Sequence, residues 1–425
     1  MTVLDKIASP GCGCDRRAID SKLTSIDDAL ACIDMHASPI RETMEVPIDE
    51  AVGRILARPV WCRTMSPPFD NAAMDGYAVA TSSMPGKGPW LLPVGDRLRA
   101  GRETDAPLRG GMAARIFTGA QGPQGADAIV MQEEVTRHAQ TIRIDQRPKP
   151  GLNIRRAGSD IARDALVLRE GCRLGPQEIA LCAAAGVPDV HIHRRLRVAM
   201  LVTGDEIRQV GPAKGEAQIW DVNTPMLRAL LTRPDIDLVA VETGLDSRDG
   251  LYLQLAEMAA AADLLITTGG ISVGEEDHVK PLLKGMGADI MFSGVAMKPG
   301  KPVSFGQVRG AFWLGLPGNP VSAFVTCHVF GLALIRALSG EGPTPTRRHV
   351  VTASPISRKP GRCELRPATL AGFDAMGREI VRFEDATHSA RVGLLSLSDG
   401  LIFLPADTEC LPAGALVEFQ PFCQS

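Results

Sequence analysis

The densest set of chemically capable residues lies between Asp263 and Pro302. An apolar run at 264–267 breaks into Thr268-Gly269-Gly270-Ile271-Ser272-Val273-Gly274-Glu275-Glu276-Asp277, and Lys298-Pro299-Gly300-Lys301-Pro302 follows downstream. Paired glycines let backbone pass close to a ligand where a side chain would clash. The loop then offers a hydroxyl, backbone amides and three carboxylates. Lysines alone point to an anion. Lysines beside crowded carboxylates point to an anion held together with a divalent cation.

Other positions carry weaker signals. Thr203-Gly204-Asp205-Glu206 and Leu316-Pro317-Gly318-Asn319-Pro320 each follow an apolar run and place glycine where it ends. The polar loop 69–78 holds Asp70, Asn71 and Asp75, and read alone it is an Asx-turn. Residues 153–160 set Arg155 and Arg156 before Asp160, as an anion-facing turn or as solvated charge. Cys12 and Cys14 form a close pair in a Gly/Pro-rich leader without a partner motif for metal or redox chemistry. His191 and His193 have no third ligand in view and read as surface residues.

The elements that must position these residues follow from periodicity. Residues 1–20 read as a flexible leader. Ser25 is a good N-cap for a helix with Ile26, Leu30 and Ile33 on one face, and Pro39 marks its end. A short helix is expected near 50–56. From 63 to 149 short runs at 76–80, 114–118, 128–133 and 141–145, separated by Gly and Pro, predict a β-rich unit. Residues 150–196 return to mixed structure, with a helix at 177–186. From 197 strand and helix alternate: strands at 198–202, 238–241, 264–267 and 312–316; helices at 224–231, 249–261, 278–284 and 321–338. That alternation predicts a parallel, doubly wound sheet. Such sheets bind ligands at the carboxyl ends of their strands, where the loops at 203–206, 268–277 and 316–320 emerge. A Gly/Pro linker at 341–346 leads to strand-like runs only, a small all-β barrel or sandwich.

Composition narrows the class. The 425 residues suffice for two or more domains. A net charge of −3 excludes a globally basic nucleic-acid binder, and 4% aromatics weakens any base-stacking role. No run of eighteen apolar residues predicts a membrane span. No secretory leader is evident, so the ten cysteines are expected reduced, in a cytoplasmic protein.

Nine stretches taken together resemble the MoeA family, which includes the gephyrin E domain: 69–78, 115–120, 126–134, 153–161, 203–206, 221–223, 268–277, 298–302 and 316–322. They occur in order over about residues 22–425. The resemblance implies a multidomain α/β chain. In that arrangement an elongated α+β segment (21–62 and 150–196) carries an inserted β-rich domain (63–149). A molybdopterin-binding α/β domain (197–341) and a C-terminal β barrel (347–425) follow. It implies a homodimer in which the β-rich domain of one subunit closes the cleft of the other, so that Asp75 and Thr118 reach the partner's site.

The implied activity is molybdenum insertion. Adenylylated molybdopterin and molybdate bind, and AMP leaves in a magnesium-dependent step. Every reactant is an anion, and two unit charges about 4 Å apart at an effective dielectric of about 20 repel by about 4 kcal/mol. Lys298 and Lys301 would offset much of that repulsion. Glu206, Asp277 and Asp249 are expected to hold Mg²⁺ against the pyrophosphate. Gly269, Gly270, Ser272, Gly318 and Asn319 would cradle the pterin phosphate. Ser272, Lys298 and Ser322 are candidates for molybdate, with Arg155 and Asp160 as further substrate contacts. Asp221 and Asn223 would fix either the loop or the pterin.

Similar proteins often carry a basic residue where this chain has Gly294, so an anion contact is missing or comes from Arg155 or Arg156. Ala72 stands where a serine is common, and the change is expected to be tolerated. Transient contact with the preceding adenylyltransferase and with downstream cofactor-handling proteins is also implied. The alternatives are that adenylyltransferase itself, whose relatives usually lack the flanking β domains, and a gephyrin-like scaffold, which the lack of a long fused linker disfavours.

Overall fold

In the computed structural model, which describes residues 23–103, 106–204, 206–211, 215–270, 278–343, 347–384 and 391–423, the first helix begins where its cap predicts. The Ser25 hydroxyl accepts the Asp28 N–H at 3.0 Å, and the helix runs Ile26–His36. Its buried face, Ile26, Ala29 and Ile33, does not join the neighbouring chain segment. It packs into the same core as Val198, Ile266, Leu314 and Phe330.

Short antiparallel pairs connect chain on either side of the β-rich region. Thr43–Pro47 pairs with Asp189–His193, Val60–Trp61 with Leu166–Leu168, and Asn71–Ala72 with Ile154–Arg155. The first two pairs share a core that includes Val46, Leu56, Cys182 and Ile192, whereas Ala72 and Ile154 of the third pack with Ala78 and Ile116 of the β-rich region. The helix expected at 50–56 is absent; a 3₁₀ turn at Ile48–Glu50 takes its place. His193 is buried rather than at the surface, and its Nδ1 lies 2.9 Å from the Ile40 carbonyl.

Between these pairs the β-rich region forms one six-stranded sheet. Its order is Ala128–Met131, Gly76–Val79, Ala113–Ile116, Trp90–Leu98, Thr141–Ile144, Val135–His138.

The alternating region forms a second six-stranded sheet, ordered Ile236–Thr243, Leu196–Val202, Leu264–Thr268, Ala311–Leu316, Ser304–Val308, Asp289–Ser293. The first four strands are parallel, as expected. The last two are antiparallel, so the sheet is mixed. Helices Arg248–Ala261 and Val279–Gly285 cover one face, their Leu255 and Leu283 joining Trp313 of the sheet in one core. The other face is covered by the helical stretch from Pro320 to Ser339, which contains a π turn at Cys327–Gly331. That stretch is long and apolar enough to cross a membrane, but its most apolar window is 78% buried, as in a core helix.

The C-terminal strands Arg348–Thr352, Cys363–Phe373, Glu379–Phe383, Gly400–Leu404 and Leu416–Pro421 close on themselves as a five-stranded barrel. Met297–Lys298 adds alongside Cys363–Glu364 in parallel and ties the barrel to the α/β sheet.

Candidate functional site

The four parallel strands end level with one another. Val202 is in register with Thr243 on one side and Thr268 on the other, and Thr268 is in register with Leu316. Their loops therefore leave together and enclose a cleft of about 560 Å³. Glu206, Asn223, Gly269, Gly270, Gly318 and Asn319 line it, as the sequence predicts.

The floor of the cleft is built by close backbone approach. The Thr203 N–H donates to the Thr268 carbonyl at 2.9 Å, and the Gly269 N–H to the Leu316 carbonyl at 3.1 Å. A Cβ on Gly269 would sit 2.6 Å from the Thr203 carbonyl oxygen, at a φ of +80°. Only glycine lets the strand-end loops nest this tightly. Asn223 is buried and donates from Nδ2 to the Gly318 carbonyl at 2.7 Å, so it fixes the 316–319 loop. Its Oδ1 is buried without a hydrogen-bond partner among the described residues. Asp221 caps the helix Asn223–Leu231 by accepting the Thr224 N–H at 2.9 Å.

Asp246 also lines the cleft, and Asp249 does not. Asp246 sits directly after the strand Ile236–Thr243, whereas Asp249 lies on the first turn of the next helix. Trp220 and His278 are further lining residues that sequence reasoning missed.

Models of three parts of one protein type match this chain: the MoeA N-terminal region, domains I and II, over 24–186; a probable molybdopterin binding domain over 199–337; and the MoeA C-terminal region, domain IV, over 349–422. A molybdopterin molybdenumtransferase of Haemophilus influenzae is 39% identical over 389 residues, covering 90% of this chain and 94% of that one. Molybdopterin molybdenumtransferase 2 of Mycobacterium tuberculosis is 35% identical over 385 residues, covering 88% and 93%.

The chain belongs to the MoeA family. A solved molybdopterin biosynthesis MoeA protein of Pyrococcus horikoshii OT3 superposes with a TM-score of 0.80 at 26% identity, covering 94% of this chain and 100% of that one.

Within this MoeA-family chain the remaining predicted residues fall into separate places. Asp75 and Thr118 lie together on the β-rich sheet, outside the cleft. The amide and then the hydroxyl of Thr118 hold the Asp75 carboxyl below the usual carboxylate range. Arg155 is exposed on the strand beside Asn71, and the Asp160 carboxylate accepts the Ser66 hydroxyl at 3.4 Å. Arg156 is paired with Asp70 at 2.5 Å, with both side chains exposed.

Gly294 itself has φ +97°, and a Cβ there would meet Leu23 Cδ2 at 2.9 Å; a basic side chain at this position is strained. Lys298 is half exposed, with Nζ 3.8 Å from Glu364 of the barrel. Lys301 is exposed and does not line the cleft. Ser322 is 4% exposed inside the helix Pro320–Thr326 and does not reach the cleft surface. Ser272 and Asp277 lie outside the described residues.

One charged group sets the base of the central strand. Burial pushes the Asp263 carboxyl up, but forked hydrogen bonds from Arg194 at 2.6 and 2.9 Å, with further ones from Arg197, bring it down to about 2. Asp263 thereby anchors the amino end of Leu264–Thr268, the strand that ends in the cleft.

Proposed function

We propose that this chain is a molybdopterin molybdenumtransferase, which inserts molybdate into adenylylated molybdopterin with Mg²⁺-dependent release of AMP. The observation that carries the reading is the convergence of four level strand ends on one cleft, with Glu206 and Asp246 in its wall and paired glycines in its floor. The cleft is large enough for a pterin-sized ligand. Ile207, Ile219 and Trp220 supply an apolar side to it. The names of the relatives support the same substrates for this chain.

The donor set fits magnesium. Among the described residues no three acidic or imidazole groups form a metal cage. Two carboxylates facing a cleft suit a cation that keeps water and takes its remaining ligands from substrate phosphates. Glu206 and Asp246 would hold Mg²⁺, with Asp277 as a further ligand. Bound there, the ion would supply charge neutralisation at the pyrophosphate.

The chain's own groups would do the rest. The backbone at Gly269 and Gly270 would approach the pterin phosphate, which no residue with a Cβ could allow. Asn223 would hold the Gly318–Asn319 loop still. Lys298 and Lys301 would stabilise the incoming oxyanion, each charged hydrogen bond contributing roughly 1.5–3 kcal/mol. We assign the working form as a homodimer in the cytoplasm, with Asp75 and Thr118 of one subunit completing the partner's cleft. Handover would involve transient contact with the adenylyltransferase and downstream cofactor-handling proteins.

The test is AMP release from adenylylated molybdopterin by the purified chain. Release is expected to require both molybdate and magnesium. Conversion of molybdopterin and ATP to the adenylylated form, without molybdate-dependent AMP release, would replace this reading with the adenylyltransferase.

A further inference from the structure

On the β-rich sheet, Arg97 and Arg115 stand directly opposite each other on neighbouring parallel strands. Like charges in cross-strand register destabilise a sheet. The pairing is also interrupted by a register shift between Val94 and Arg97, an irregularity that re-aims side chains and recurs beside functional sites. Both guanidiniums lie over one ring, each 4.9 Å from the centroid of Phe117. Arg115 is held in place by donating to the Gly76 carbonyl at 2.9 Å and to Gln132 Oε1 at 2.5 Å.

A third arginine comes from the adjoining hairpin. Arg97, Arg115, Arg137 and Gln140 line a cleft of about 600 Å³ together with Val94, Gly95 and Phe117. Among the described residues no carboxylate lines it. Asp96, the acid within the bulged stretch, is not part of the wall. Among the described residues none of the three arginines forms an ion pair within 4 Å, although the charge of Arg115 is felt by Asp75. Three cations line one open cleft with no ion-pair partner within 4 Å among the described residues, and an aromatic ring holds two of them in position. Guanidinium forks match the oxygens of phosphate-like groups in paired hydrogen bonds.

We propose that this cleft is a second anion site, separate from the strand-end cleft, and that it takes a tetrahedral oxyanion, carried as a phosphate group or as free molybdate. The molybdate form rests on the proposed function; the phosphate form does not. Site occupancy relieves the repulsion between Arg97 and Arg115, and the exposure of Arg97 and Arg137 makes binding weaken as salt rises.

Equilibrium dialysis of the full chain at low ionic strength tests this, with inorganic phosphate, pyrophosphate and molybdate as separate probes. The comparison is wild type against the double variant Arg97→Gln, Arg137→Gln, both at exposed positions, with Arg115 left in place. At least a tenfold weakening, or the loss of one bound equivalent, is expected for one or more probes. Loss confined to phosphate and pyrophosphate assigns a phosphate-bearing ligand. Loss confined to molybdate assigns the free oxyanion, and loss of all three an unselective site. Identical binding of all probes by both proteins overturns the proposal. Arg97→Gln alone carries the comparison if the double variant melts early.

The two readings fail separately. A wild type inactive in AMP release that still loses a phosphate equivalent on substitution sinks only the proposed function. An active wild type whose double variant binds unchanged sinks only this second site.

Discussion

Thr118 gives both of its donors to one oxygen of Asp75: the amide N–H reaches Oδ1 at 2.8 Å and the hydroxyl reaches it at 2.7 Å. The second oxygen, Oδ2, receives neither. The two residues are 43 positions apart in the chain, and the register Gly76↔Ile116 brings their strands side by side. The result is a half-buried carboxylate, its pKa lowered, held in one orientation, with Oδ2 accepting no hydrogen bond among the described residues.

That arrangement gives the first prediction. Asp75→Ala and Glu206→Ala homodimers are each expected to lose AMP release. Mixed dimers are expected to regain up to half of the wild-type rate per dimer, because one composite cleft stays intact. Subunit exchange is verified by differential tags. If verified mixed dimers stay as inactive as the parents, Asp75 does not serve the partner's cleft.

The second prediction separates two aspartates three residues apart. Asp246 lines the cleft and Asp249 does not. Asp246→Asn and Glu206→Gln are expected to slow AMP release by about 10- to 100-fold, the equivalent of one charged contact, and to raise the magnesium concentration needed for half-maximal rate. Asp249→Asn is expected to stay within about threefold of wild type, as surface substitutions do. Magnesium titrations of initial rate check both, and equal sensitivity at the two positions would contradict the assignment.

A third expectation concerns Gly269. Alanine there must adopt φ near +80° and clash with the Thr203 carbonyl. The left-handed conformation alone costs roughly 1–2 kcal/mol, so Gly269→Ala should lower the melting temperature by several degrees and displace the cleft floor. Gly285→Ala is the control: a Cβ there meets nothing within 4 Å, at the end of the helix Val279–Gly285. Calorimetry of both variants decides; a Gly269→Ala protein as stable and active as wild type would remove the close-approach argument.

His328 supplies a pH dependence. Burial lowers its pKa from 6.5 to about 4, only partly opposed by the Pro421 carbonyl 3.0 Å from Nε2. The unfolded chain therefore binds a proton that the folded chain refuses between those two values. Stability is fully present above pH 6.5 and falls as pH drops toward about 4, by on the order of 3 kcal/mol. Denaturant midpoints measured across that window should flatten in His328→Gln, provided the variant folds. A slope unchanged by the substitution would assign the acid sensitivity to other groups.

The strand-end cleft was legible because three of its loops follow the same local rule, an apolar run ending on glycine. The fourth loop obeys it too. Thr243-Gly244 matches Thr203-Gly204 and Thr268-Gly269, and the acid after it is Asp246. The strand before it hid the signal, because Ile236–Thr243 lies at the sheet edge and has only one fully buried residue, Ile236.

The antiparallel strands Ser304–Val308 and Ala311–Leu316 were not legible as a hairpin. Their turn is Arg309-Gly310, with Arg309 at φ 51°, and arginine is not a residue that announces a left-handed conformation. Ser322 and His193 were misplaced for a related reason. A polar side chain gives no local sign of burial when its cover comes from distant chain, such as Ile40 against His193.

Met297–Lys298 is at once the run-out of the α/β sheet and a rung on the barrel wall, with Lys298 opposite Glu364. Glu364 is in turn gripped by the buried guanidiniums of Arg366 at 3.1 Å and Arg358 at 3.3 Å. The barrel is therefore no passive appendage. Under the role proposed for Lys298, substitutions at Arg358 or Arg366, deep in the C-terminal strands, would reposition its ammonium through Glu364 without touching a substrate atom.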